Sequence, residues 1–551
     1  MNTTLNKFLL VIFAVLLSAI GTAQTGYYSV IFKDKNCSIN QSPNTFLTER
    51  SLERRRRSKV SITFEDFPLC SSYISKITTI PGVSLKNRLK WNNAITVDVS
   101  NPSVLQQINA QSFVESVTFI CSKPIPERAA QNKFKLEEEP FLPNYGKSQT
   151  QIEMIEMNKL HQKGFTGKGM LIAVFDAGFR RVDTMNHFQP LWKNNQIVGQ
   201  KDFVNHTDNV FYGSNHGMSV LSTMAIHIDG EMVGTAPGAN YYLMKTEDPT
   251  SETIIEEYNW AEAAEYADSV GADIINSSLG YTRFNDSTTN HTYADMDGNT
   301  TVVTRAANKA FEKGMLVVNS AGNSGNDSWY YIGAPADGYG VLSIGAVGSE
   351  ETVAGFSSRG PTSAGVIKPD VCAMGWWVYV VDASGVVKTS NGTSFSSPIV
   401  AGASACLWQA YPEMENKVLM NIIRESAHKY SNPDVHFGYG IPNFNEALSI
   451  SEGKRFPENK NNGLYESFLL YPNPAVRTTR VEFIVGTESE KADLRVYDSR
   501  GVLVTSENYH ARIGHNYIDV NCTGLAAGLY LVELKVGENS QTRPLVIQGR
   551  N

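Results

Sequence analysis

Beyond residue 23 the chain has no apolar run near the roughly 20 residues that a membrane-spanning helix requires, which excludes a span in the mature protein. Charge is sparse as well. Lys, Arg, Asp and Glu make up 19% of the residues and the net charge is -7, so no basic surplus draws the protein to nucleic acid. Internal repeats are missing, which removes the solenoid and propeller architectures. The six cysteines match no zinc-ligand spacing, and no metal role is assigned to them.

What is present is a long chain of ordinary globular composition. With 551 residues and 42% hydrophobic side chains it has material for three or four folding units. Residues 1–23 join Lys7 to an apolar run from Phe8 to Leu17 and end in small residues near Ala23. This is the pattern of a signal peptide, so export is expected, and with it a setting that permits disulfides. Cys37, Cys70 and Cys121 precede residue 147, and an odd number there means that at least one is free or pairs elsewhere. The run Arg54, Arg55, Arg56, Arg57 reads as the solvated face of a helix, with a processing site as the alternative.

Residues 24–126 alternate short apolar runs such as YYSVIF and AITVDV with a helical stretch, the pattern of a small α+β domain. A polar linker follows at 127–146 and predicts an exposed, cleavable boundary. Over 147–450 the runs LIAVF, YYLMK, ADIINSS, MLVVNS and VLSIGAV are nearly continuous apolar segments separated by helical ones. That alternation predicts an α/β fold with a doubly wound, mostly parallel sheet and a site at the carboxyl ends of its strands. A second polar linker at 451–463 leads to 464–551, whose period-two strands predict a β-sandwich.

Three blocks carry the chemistry. LIAVFDAGF ends a strand on Asp176, NHGMSVLSTMA opens a helix with His216, and NGTSFSSPIVAGASA opens another with Ser394. A serine hydroxyl is a weak nucleophile unless a base takes its proton and a carboxylate orients that base. His216 and Asp176 meet those needs. In VVNSAGNSG, a strand runs into Asn323, whose amide can donate to a developing oxyanion beside the helix start.

The blocks DAGF, HGMSV, SSLG, SAGNSG and NGTSFSSP, in this order, closely resemble those of the subtilisin-like serine proteases. The resemblance covers about residues 147–450. It implies a secreted serine endopeptidase acting on protein or peptide substrates, with Asp176 as orienter, His216 as base, Ser394 as nucleophile and Asn323 as oxyanion donor. It further implies a substrate-binding edge at Ser278, Leu279 and Gly280, a pocket wall at Ser320, Ala321 and Gly322, and a floor near Gly333. A glycine floor implies a preference for large apolar side chains before the cut, unless Trp329 or Tyr330 fills the space. Ala177 and Phe395 stand where the family usually has Thr or Ser and Met.

By the same resemblance, 24–126 stands where these proteases carry a ferredoxin-like propeptide that assists folding and blocks the site. The C-terminal blocks YPNP, LRVYDSRGVLV, LAAGLYLVEL and RPLVIQ resemble type IX sorting domains of Bacteroidetes. They imply the type IX secretion machinery as a partner, passage through the periplasm, and release or attachment at the cell surface. The chemistry needs no cofactor. Asp295, Asp297 and Asn299 have the alternating oxygen spacing of a calcium loop but lack the closing Glu, which leaves a structural calcium as the weaker reading beside a plain polar turn.

Overall fold

The computed structural model describes residues 24–122, 146–455, 469–471, 475, 478–485, 491–498, 500–511, 514–536 and 539–547. The expected signal peptide, nearly all of the first linker and most of the second lie outside the described residues. The chain forms two compact units, Met1–Asn443 and Phe444–Asn551.

The first unit begins with the predicted α+β domain. Strand β1 (Gly26–Phe32) buries alternate residues, placing Tyr28, Val30 and Phe32 on one face. Helices α1 (Glu49–Arg57) and α2 (Ser71–Thr78) lead to β2 (Val83–Leu89) and β3 (Ala94–Val99), and α3 (Leu105–Asn109) leads to β4 (Val114–Cys121). The strands form an antiparallel sheet in the order β2-β3-β1-β4. Ile77 and Ile108 from α2 and α3 join the sheet residues in its core. Cys37 and Cys70 form a disulfide; Cys121, Cys372, Cys406 and Cys522 are buried free thiols.

The peptidase region holds a seven-stranded, wholly parallel sheet in the order β13-β12-β11-β10-β5-β9-β6. These strands are β5 (Leu171–Asp176), β6 (Ile197–Asp202), β9 (Asn240–Lys245), β10 (Ile274–Ser277), β11 (Leu316–Ser320), β12 (Val341–Val347) and β13 (Val371–Met374), with a short hairpin of β7 (His227–Ile228) and β8 (Met232–Val233) between. Strands β5, β10, β11 and β12 are buried throughout, which is why they read as apolar runs without alternation. Helices α5 (Ile255–Val270) and α6 (Val302–Glu312) cover one face, against Leu171, Ala173, Phe175, Ile275 and Val317. The period of two then turns Ile172, Val174 and Asp176 to the other face. There α4 (His216–Ala225) and α7 (Thr393–Ala410) pack on the sheet and on each other.

The arginine run corrects one expectation. It is helical, but it is not a solvated face. Arg54 and Arg55 are each 1% exposed, whereas Arg56 keeps 77% of its side chain in solvent. Arg54 Nη1 donates to Ala272 O at 2.7 Å and its other Nη to Asp268, while Arg55 donates to Asp268 at 2.6 Å and Asp66 at 2.9 Å. Arg57 pairs with Asp273 at 2.9 Å. The last turn of α5 offers a helix carboxyl end and two nearby carboxylates, a strong acceptor for guanidinium groups. Leu89 and Trp91 add apolar contact by joining the core of the peptidase region.

In the second unit a helix, Phe444–Arg455, carries regular structure into the first residues expected as linker. Two antiparallel sheets follow: β14 (Leu469–Tyr471), β15 (Thr478–Val485) and β18 (Gly514–Asn521) in the order β14-β15-β18, and β16 (Lys491–Asp498), β17 (Leu503–His510), β19 (Gly528–Val536) and β20 (Asn539–Ile547) in the order β17-β16-β19-β20. Val481, Phe483, Ile518 and Val520 of one sheet share a core with Leu494, Val496, Val532 and Leu534 of the other, which makes the predicted sandwich. No helix among the described residues is long and apolar enough to cross a membrane.

Candidate active site

Strand β5 lies between β9 and β10, where the chain changes its direction of travel across the sheet. Parallel sheets open a crevice at such a point, at the carboxyl ends of the strands. Asp176 ends β5 there and is fully buried. The helix α4 starts at His216, whose Nδ1 lies 2.9 Å from both Asp176 carboxylate oxygens. A carboxylate only accepts, so Nδ1 carries the proton and Nε2 is the acceptor end of the neutral ring.

Gly217 allows this approach. A Cβ at that position would stand 2.8 Å from Asp176 Cβ and 2.6 Å from Gly178 O. Any side chain would push α4 off the end of β5.

Ser394 is the second residue of α7 and is 6% exposed. Its Oγ donates to Ser278 O in a long 3.4 Å bond, and Ser278 Oγ donates to Ser394 O at 2.8 Å. The Phe395 ring stands 6.0 Å from the His216 ring, which places the imidazole beside the first turn of α7. At that turn Thr393 N–H goes to Asn323 Oδ1 and Phe395 N–H to Gly392 O, while Ser394 N–H meets no acceptor among the described residues.

Asn323 is oriented by this same turn. Its Oδ1 accepts from Thr393 N–H and from Thr393 Oγ1, both at 2.9 Å. A backbone N–H can only donate, which fixes the amide with Nδ2 as its outward end. Asn323 and Ser394 line one cleft of about 190 Å³ with Ser278, Leu279, Gly280, Ser320, Gly322 and Gly333. Ala321, expected in its wall, packs inward with Ile332 and Ala336. Trp329 and Tyr331 contribute to the lining, and a Cβ on Gly333 would come 3.0 Å from Thr282 Cγ2.

Reasoning from the sequence did not reach Thr393, although it adjoins the serine, nor Glu247 and Glu252, which also line the cleft. Acidic residues in a loop carry no local signal for the cleft that they face. The calcium candidates sit apart. Asp295 accepts from Thr292 N–H at 2.7 Å, Asp297 from the N–H groups of Asn299 and Thr300, and Arg305 donates to the carbonyls of Asn299 and Thr300.

Comparison with known proteins agrees with this layout. Residues 167–440 match the model of the subtilase family, 27–137 the peptidase S8 propeptide domain of Bacteroidota, and 469–548 the secretion system C-terminal sorting domain. Subtilisin E of Bacillus subtilis is 30% identical over 300 residues, covering 54% of this chain and 70% of that protein. Subtilisin DY of Bacillus licheniformis is 29% identical over 303 residues, covering 54% of this chain and 97% of its own. Subtilisin Savinase of Lederbergia lenta is 27% identical over 293 residues, covering 53% and 95%. A serine endopeptidase domain preceded by its propeptide and followed by a type IX tail that marks it for export, to the medium or the cell surface, follows from these matches together with the parallel sheet. The chain belongs to the subtilase family.

Proposed function

We propose that this protein hydrolyses peptide bonds through an acyl-enzyme formed on Ser394, with His216 as general base and Asp176 as the group that holds the base. The observation that carries the reading is the Asp176–His216 pair, 2.9 Å apart at the end of β5 and beside the first turn of α7. In this reading Ser394 Oγ gives up its long bond to Ser278 O for one to His216 Nε2. As Oγ attacks the scissile carbonyl carbon, its proton passes to Nε2 and the imidazolium is stabilised by Asp176. Negative charge developing on the carbonyl oxygen is met by Asn323 Nδ2 and Ser394 N–H, with the amino end of α7 behind them. His216 then returns the proton to the leaving amine, and water repeats the sequence to release the acid.

For the residue before the cut, Gly333 brings no side chain to the cleft and Trp329 and Tyr331 bring aromatic surface, which favours Phe, Tyr, Leu or Met. The preference is graded, since a methylene in such a pocket is worth about 1–3 kcal/mol. The domain at 24–126 acts on the enzyme as its own inhibitor and folding aid. Casein turnover and labelling by a serine-reactive organophosphorus probe test the reading. Ser394→Ala is expected to remove both, with a rate loss of about a million-fold, the size carried over from subtilisin itself. Substantial turnover by that variant overturns it.

A further inference from the structure

The cleft that holds Ser394 has an acidic lining. Glu247 and Glu252 stand in its lining, and that lining contains no Lys, Arg or His among the described residues. Glu247 is 2% exposed and follows β9; the buried Tyr281 hydroxyl donates to its Oε1 at 2.5 Å. Burial and the neighbouring Glu247 raise the Tyr281 phenol well above its ordinary pKa, so it stays a donor and Glu247 the acceptor. Glu252 is half-buried on a pinned backbone: its N–H donates to Asn285 Oδ1 at 2.9 Å and its carbonyl accepts from Asn285 N–H at 2.8 Å.

A third carboxylate, Glu256, has a different task. It accepts from Asp248 N–H at 2.8 Å and Thr253 N–H at 3.1 Å, and so ties down the loop that carries the other two. Ligand oxygens of all three lie within 4.8 Å of one another. Carboxylates at that spacing disfavour one another's charged forms, and a cation entering from the cleft favours them. Calcium is a poor fit, because it takes 6–8 oxygens and Glu256 is already engaged by backbone donors. A long basic side chain fits better. Its charged end meets the carboxylates while its methylene stem stays within the cleft.

We propose that Glu247 and Glu252 form a subsite that selects a lysine or arginine of the substrate, at a position before the scissile bond other than the one facing Gly333. The inference rests on the hydrolase reading above and adds to it a substrate class: chains with a basic residue near the cut on the acyl side.

The test is a peptide library varied at each position preceding the cut, run on the secreted, activated enzyme. At one position Lys or Arg is expected to exceed Leu by about tenfold in kcat/KM at low salt, with the ratio shrinking as salt rises. Glu252→Gln and Glu247→Gln are each expected to bring that ratio toward one. Absence of a basic preference at every position, or a preference unchanged in both variants, overturns the proposal. So does a Glu252→Gln enzyme that keeps the preference but loses a calcium-dependent rise in Tm, which would make the cluster a cation site. Labelling of Ser394 in the same samples reports on the hydrolase reading separately, so a labelled enzyme indifferent to basic residues sinks the subsite alone.

Discussion

The Thr393 backbone N–H donates to Asn323 Oδ1 at 2.9 Å, and this bond decides which end of the amide is turned outward. Replacing Asn323 with Ala removes the donor proposed above to act on the developing oxyanion. The expected loss is roughly 100- to 1,000-fold in kcat with little change in KM, a range carried over from subtilisin. Thr393→Val keeps the N–H and loses only the hydroxyl bond, so its loss is expected to be smaller. Steady-state kinetics on both variants check the order; a loss seen mainly in KM would make Asn323 a binding residue.

Gly217→Ala tests the contact between α4 and β5. The added methyl meets Asp176 Cβ at 2.8 Å and Gly178 O at 2.6 Å, and neither belongs to a flexible side-chain end. Overpacking of this kind costs about 1–3 kcal/mol, and here the displaced group is the one that holds His216. A lower Tm together with a drop in kcat is expected. Unchanged kinetics would show that α4 can shift without disturbing the pair.

The buried arginines anchor the N-terminal domain. Removing one partner of a buried ion pair costs about 3–5 kcal/mol, because the other charge is left without compensation. In separately expressed 24–128, Arg54→Ala is therefore expected to weaken inhibition of the mature enzyme by about a hundredfold or more. The exposed Arg56→Ala is expected to stay within about 0.5 kcal/mol of wild type. Equal inhibition constants for all three would refute the anchor.

The same interface responds to pH. Glu265 on α5 accepts from the N–H groups of Lys90 and Trp91 at 2.7 and 2.9 Å. Burial pushes its carboxyl up to about 8, against the pull of the Lys90 charge and those two donors. An acid with a raised pKa in the docked state holds its proton there after the free form has lost it. Docking is then strongest near and below the ordinary value of 4.5 and weakens as pH rises through about 8. The inhibition constant is expected to increase between about pH 5 and pH 8, and Glu265→Gln to flatten that slope. Tighter binding at the alkaline end would reverse the sign and reject the assignment.

Deleting 464–551 separates export from catalysis. The residues are the sorting region and share their own core. The truncated protein is expected to cleave casein after purification and to accumulate in the periplasm of its host. Cell fractionation checks this, and normal appearance in the medium would deny the tail its role.

Much of this molecule follows from short-range order. Strands buried on both faces must be apolar along their whole length, so LIAVF and VLSIGAV revealed a parallel sheet, and such a sheet presents its site at the strand ends where Asp176 stands. Helix starts are local too, and His216 and Ser394 were legible as residues that open helices. The sequence by itself thus determined the elements, their order and the residues proposed as reacting groups. Tertiary structure decided which groups meet. Asp176 and His216 are 40 residues apart, Asn323 and Thr393 are 70, and Arg54 and Asp268 are 214. Arg54, Arg55 and Arg57 on a polar helix look solvated until a distant helix end supplies their acceptors, and Glu247 and Glu252 look like loop surface until β9 and α5 turn them into the cleft. Charge is read in the field of its neighbours, and those neighbours are set by packing across the sheet rather than by position along the chain.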